Sequence, residues 1–182
     1  MASDVDICNS ALNMIGASNI SALTEDSKTA RICNQRYAFI RDAVFRSHPW
    51  NSLIRRVTLS PESDTPEFDF SYQYTLPTDP YCLRVLSLQD NDTVHTIEGR
   101  KLLANESTVK LKYVARIVDT NEYDQLLIET LSARLAADIS FALVNSTSLM
   151  KQMQEMYDSK IREARFVDAT EGWVNVQDST SA

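Results

Sequence analysis

The segment Arg41-Asp42-Ala43-Val44-Phe45-Arg46-Ser47-His48-Pro49-Trp50-Asn51 constrains the fold more than any other part of this chain. Upstream of it, Ala30, Cys33, Tyr37, Ile40 and Val44 recur at intervals of three and four, which is one apolar face of a helix. Pro49 stops that helix, because the residue before a proline resists the α conformation. Trp50 then supplies an aromatic anchor at the point where the pattern turns β-like. The segment therefore joins a helical layer to a sheet.

Before this join, Ser3 and Asp6 have capping-box spacing, with Asp in place of the usual Glu. Gly16 is a natural stop, so a first helix is expected from Ser3 to Gly16 with Val5, Cys8, Leu12 and Ile15 on one stripe. The second helix is expected from Asp26 or Ser27 to about Ser47. After it, Ile54, Val57 and Leu59 lead into a polar, turn-rich loop. Phe68, Phe70, Tyr72 and Tyr74 alternate with Asp69, Ser71 and Gln73, which predicts a half-buried strand with an aromatic face. Leu83 to Leu88, Thr93 to Ile97 pairing with Lys101 to Leu103 around Gly99, and Val109 to Ala115 complete an expected antiparallel sheet of four to six strands.

Helical periodicity returns near Asn121. Leu126, Leu127, Ile128, Leu131, Leu135, Ile139, Phe141 and Val144 make the third helix apolar over much of its circumference. Such a helix is buried on several sides, either centrally or against a neighbouring subunit. Asn145 to Ser148 introduce a fourth helix, expected to end near Phe166. Its Met150, Met153 and Met156 fit core filling better than an adaptable binding surface. Beyond Val167 the periodicity fades into a polar tail holding Trp173.

These elements predict an α+β fold of segregated parts. An antiparallel bundle of about four helices carries an inserted small antiparallel β-sheet and an extended C-terminal arm. The expected division is 1–52 and 119–166 for the two helical parts, 53–118 for the insertion and 167–182 for the arm.

The 182 residues are 43% apolar, enough for a sizeable core, and carry a net charge of −7. That balance disfavours a free-standing nucleic-acid binder and an anionic membrane surface as partner. No apolar stretch approaches the ~18 residues that span a bilayer, and the N-terminus has no signal-peptide pattern. Cys8, Cys33 and Cys82 show no CxxC spacing and read as small buried hydrophobes of a reducing compartment. Glycine occurs only at 16, 99 and 172, so no phosphate cradle is present, and His48 and His95 sit in different elements. No catalytic, cofactor or metal site is expected.

Residues that could serve an interface are clearer. Lys28, Arg31, Arg36 and Arg46 lie on the polar face of the second helix, either solvated or facing an acidic partner. Arg134 and Asp138, four apart, read as an intrachain ion pair or as a contact across a subunit boundary. Phe166, and Trp173 in the arm, are candidate anchors, since a lone Trp in a polar tail is a typical anchor type.

An ordered set of motifs adds to this reading. Ala11-Leu12-Asn13-Met14-Ile15-Gly16, Ile20 with Leu23, and Ala30, Cys33, Tyr37 and Arg41-Asp42-Ala43 running into His48-Pro49-Trp50-Asn51 form the first block. Phe70-Ser71-Tyr72-Gln73-Tyr74-Thr75-Leu76-Pro77, Cys82-Leu83-Arg84-Val85 and Glu98-Gly99-Arg100 form the second. Tyr113 with Arg116 and Asp119, Leu131 with Arg134-Leu135-Ala136-Ala137, and Met153 with Tyr157 close it. In that order they resemble the tail tubular protein A family, the head-to-tail adaptors of tailed phages and prophages. Pro80-Tyr81 stands as a small insertion relative to the family pattern. The resemblance implies a structural role in the virion, with synthesis in the bacterial host cytoplasm. It implies a ring of copies, usually dodecameric, that grips the portal protein at one end and receives the tail nozzle or tail tube at the other. Genomic DNA passes through its lumen without sequence-specific binding. No catalytic residue is implied. Another tail-completion or stopper protein of the same stack is the nearest alternative, and a small non-viral regulatory binding module is a more distant one.

Overall fold

The computed structural model describes residues 2–90 and 92–171. Four helices and six strands form an α+β fold: α1 (Asp4–Met14), α2 (Lys28–Ser47), β1 (Ile54–Leu59), β2 (Tyr72–Thr75), β3 (Cys82–Leu88), β4 (His95–Glu98), β5 (Lys101–Ala104), β6 (Val109–Ala115), α3 (Gln125–Val144) and α4 (Thr147–Glu171). Among the described residues, no helix is long and apolar enough to cross a membrane.

Local chemistry sets the helix ends. The Ser3 hydroxyl accepts from the Asp6 amide, and the Asp6 carboxylate accepts from the Ser3 amide at 2.8 Å, closing the capping box. Gly16 follows α1 with φ +69°, a left-handed conformation that a Cβ disfavours. Ser27 caps α2, and His48 leaves it in an extended conformation before Pro49. The third helix starts later than Asn121. Residues 120–122 form a separate 3-10 turn, and the Asp124 carboxylate accepts from the Leu126 and Leu127 amides to open α3 at Gln125.

The helix α3 packs against all three other helices. Leu127, Leu131, Leu135 and Ile139 are fully buried, and so are Thr130, Ser132 and Ser140 between them. The central position accounts for most of its apolarity within one chain. Phe141 and Val144 in its last turn stay exposed, so a neighbouring subunit can still cover that end.

The insertion consists of two three-stranded antiparallel sheets, ordered β1-β6-β3 and β2-β5-β4, instead of the single sheet expected. Strands β4 and β5 pair from His95↔Ala104 to Glu98↔Lys101, leaving Gly99-Arg100 as a two-residue turn with Gly99 at φ +58°. The alternating aromatic run is a strand only from Tyr72 onward. Asp69 takes φ +69°, which breaks the extended backbone, and Phe68 is 77% exposed. The register Val57↔Leu111 and Leu59↔Val109 aligns the apolar positions of β1 with the buried residues of β6. Trp50, Leu53, Tyr74, Leu102, Leu111 and Tyr113 share one core with the helices, so the sheet insertion and the bundle are packed together.

Candidate functional site

The cations of α2 all find partners inside the chain. Lys28 Nζ donates to the Ala142 carbonyl at 2.9 Å, at the C-terminal end of α3, where the helix dipole favours a positive charge. Arg31 pairs with Asp26 at 2.7 Å, Arg36 grips Asp138 through Nε and Nη2 at 2.6 and 2.9 Å, and Arg46 donates to the Leu83 carbonyl. The Asp138 carboxylate holds the Arg36 guanidinium more firmly protonated than usual. The expected Arg134–Asp138 pair does not form. Arg134 turns toward α4, donating to Gln154 at 3.1 Å and stacking over the Tyr157 ring. Asp138 faces α2, so the two residues tie α3 to different neighbours.

Sequence reasoning missed a polar cluster that lies where α2 meets the insertion. Asp42 accepts from the adjacent Arg41 at 2.9 Å and from Arg116 at 2.8 Å. Arg116 and Arg100 both stack on Tyr81, with guanidinium carbons 4.3 and 3.9 Å from the ring centroid. Arg100 also donates to three backbone carbonyls: Cys82 at 2.7 Å, Leu76 at 3.1 Å and Pro77 at 2.6 Å. One side chain thus fastens the β4–β5 turn to the segment leading into β3. Tyr81 supplies the ring at the centre, one residue after the cis Asp79-Pro80 peptide. A cleft of about 560 Å³ opens beside this clamp, edged by Ala43, Arg46, Arg84 and Ile97. The sequence placed Arg41-Asp42, Arg100 and Arg116 among its motifs, but no periodicity links these three segments.

A second junction corrects the C-terminal boundary. Residues 167–171 continue α4 instead of beginning an arm. Asp168 holds the last turns in place: its carboxylate meets His48 Nε2 at 3.0 Å and accepts from the Asn51 amide at 2.9 Å. Arg165 adds a bond to the Ser47 carbonyl at 3.2 Å. Burial pushes the His48 imidazole below its usual value, outweighing the pull of Asp168 in the other direction. The remainder of the proposed arm, with Trp173, lies outside the described residues.

Exposed apolar side chains occur at both ends of the bundle, and also at Phe68, Val94 and Ile97 in the insertion and at Val118 before α3. Phe141 and Val144 share one face of the last turn of α3, with Met150 on the first turns of α4, and all three are exposed. Phe166 lies near the other end of α4 and is 72% exposed. Met153 is buried and Met156 packs on the core, so two members of the methionine row fill space as expected. Phe39 stands in solvent on the outer face of α2. Among the described residues, no three His, Cys, Asp or Glu side chains converge as a metal site. In comparisons with known proteins, no family model matches the chain and no curated protein is significantly similar to it.

Proposed function

We propose that this chain is a structural head-to-tail adaptor of a tailed phage or prophage, of the tail tubular protein A kind. It assembles as a ring of identical copies between the portal protein and the tail nozzle or tube, and works in the virion. The reading rests first on the ordered motifs, whose residues occupy the positions that shape the fold. Tyr37, Trp50, Tyr74, Leu131 and Leu135 are buried, and Gly99 makes the β4–β5 turn. Motifs of that kind specify architecture, and the role is inferred from the architecture they specify.

The observation that carries the role is the placement of the exposed apolar groups. A component of a stack has one neighbour on each side, and this bundle offers Phe141, Val144 and Met150 at one end and Phe166 at the other. Aromatic and methionine side chains are enriched in interface centres. With most of α3 enclosed, these groups are apolar surface left open to a partner at each end.

Sedimentation of the purified chain, alone and with portal rings, tests the proposal. The expected result is a monomer or weak oligomer that becomes ring-sized on addition of portal. A Phe141→Ser, Val144→Ser variant should fold normally and assemble poorly. A stable monomer that ignores portal rings at micromolar concentrations overturns the reading.

A further inference from the structure

The outer face of the β1-β6-β3 sheet bears a cleft of about 620 Å³ whose polar lining is Arg56, Thr58, Ser87, Gln89, Lys110 and Lys112. Strand register sets these side chains side by side. Arg56 stands directly opposite Lys112, Thr58 opposite Lys110, and Ser87 opposite Lys112 from the other flank. Like charges at directly opposed positions destabilise a sheet. Among the described residues, neither Arg56, Lys110 nor Lys112 takes part in an ion pair. Asp90 and Glu106 line the adjoining depression with Lys110. In a chain of net charge −7, this is a concentrated positive strip.

The chemistry of the strip selects among anionic partners. Docking of an acidic protein surface relies on an apolar or aromatic centre. Here the apolar lining is Val57, Leu88 and Leu111, of which Leu88 and Leu111 are buried beneath the polar groups. Single-stranded bases need aromatic platforms, and the cleft has none. What it offers is three cations interleaved with hydroxyl and amide donors, the set that meets phosphate oxygens. Lys110 and Lys112 project from the same face of β6 about 6.8 Å apart, so each can engage a different phosphate of one strand. We propose that this face binds the phosphate backbone of duplex DNA without regard to sequence. The acidic groups elsewhere are screened beyond about 10 Å at 0.1 M salt and do not prevent close contact. This inference stands independently of the adaptor reading.

Fluorescence anisotropy with a labelled duplex of arbitrary sequence tests it. Three phosphate contacts should weaken binding about 40-fold between 50 and 200 mM salt, through counterion release. The triple variant Arg56→Gln, Lys110→Gln, Lys112→Gln should lose binding at 50 mM while melting at the same or a higher temperature, since only repulsion is removed. Three outcomes overturn the proposal: no binding by the parent chain at 50 mM salt, equal binding by the triple variant, or displacement of the duplex by polyglutamate as effective as by unlabelled duplex. The last would assign the face to an acidic protein instead.

Discussion

Replacing Arg100 with alanine should remove the fastening between the β4–β5 turn and the segment leading into β3. The side chain donates to the carbonyls of Leu76, Pro77 and Cys82 and stacks on Tyr81. The Pro77 carbonyl also accepts from the Cys82 amide at 2.9 Å, so it keeps a partner in the variant. Two charge-assisted bonds at about 1.5 kcal/mol each give about 3 kcal/mol, with the stacking contribution offset by water reaching a half-buried site. For a chain of this size, that loss lowers the melting temperature by about 6–12 °C. Urea unfolding followed by circular dichroism measures it directly. Arg100→Lys should recover at most a third of the loss, because an ammonium cannot span three carbonyls and a ring as a planar guanidinium does. A destabilisation below about 1 kcal/mol for Arg100→Ala, or full rescue by lysine, would refute the clamp.

Acidification should destabilise the protein through His48. Its folded value is lowered by burial, so the unfolded chain takes up the proton first, and stability falls as pH drops below about 6.5 and flattens above it. Melting curves from pH 7.5 to 5.5 should show this slope reduced in His48→Gln; a gain in stability on acidification would mean that the contact with Asp168 dominates. The Arg36–Asp138 pair is partly exposed, and Arg36→Ala should cost less than about 1 kcal/mol in urea titrations, a loss that shrinks with salt. Cys8 and Cys33 lie against each other in the core, where their mutual hydrogen bond, with burial, pushes the Cys8 thiol up and lowers that of Cys33; burial pushes the Cys82 thiol up, and all three are shut off from solvent. Their reaction with Ellman's reagent should therefore proceed no faster than unfolding; rapid labelling of the native chain would contradict the packing described.

The features readable from sequence were those set by neighbours a few residues apart. The Ser3–Asp6 box, Gly16, the one-sided face of α2 and the proline stop are local chemistry, and each appears where the pattern placed it. The run from Phe68 to Tyr74 misled because alternation says nothing about φ, and Asp69 adopts a left-handed conformation that no period reveals. The division into two sheets depends on which distant strands pair, with β6 taking β1 and β3 while β5 takes β2 and β4. Asp168 extends α4 past the point where its apolar period fades, through bonds to His48 and Asn51 far away in the chain. The clamp was hidden for the same reason: Asp42, Tyr81, Arg100 and Arg116 come from four segments, and each alone is an ordinary surface residue. Arg134 and Asp138 had the right spacing for a pair, and α2 and α4 each drew one of them away.

The encirclement of α3 has a bearing on how this protein could evolve. Because most of its oily residues are spent internally, whatever recruits other molecules is drawn from the rim, its own last turn included, where a change of side chain leaves the scaffold untouched. Solubility of the lone molecule and loyalty to a given companion can then drift independently, and a lineage can exchange companions without first rebuilding its interior.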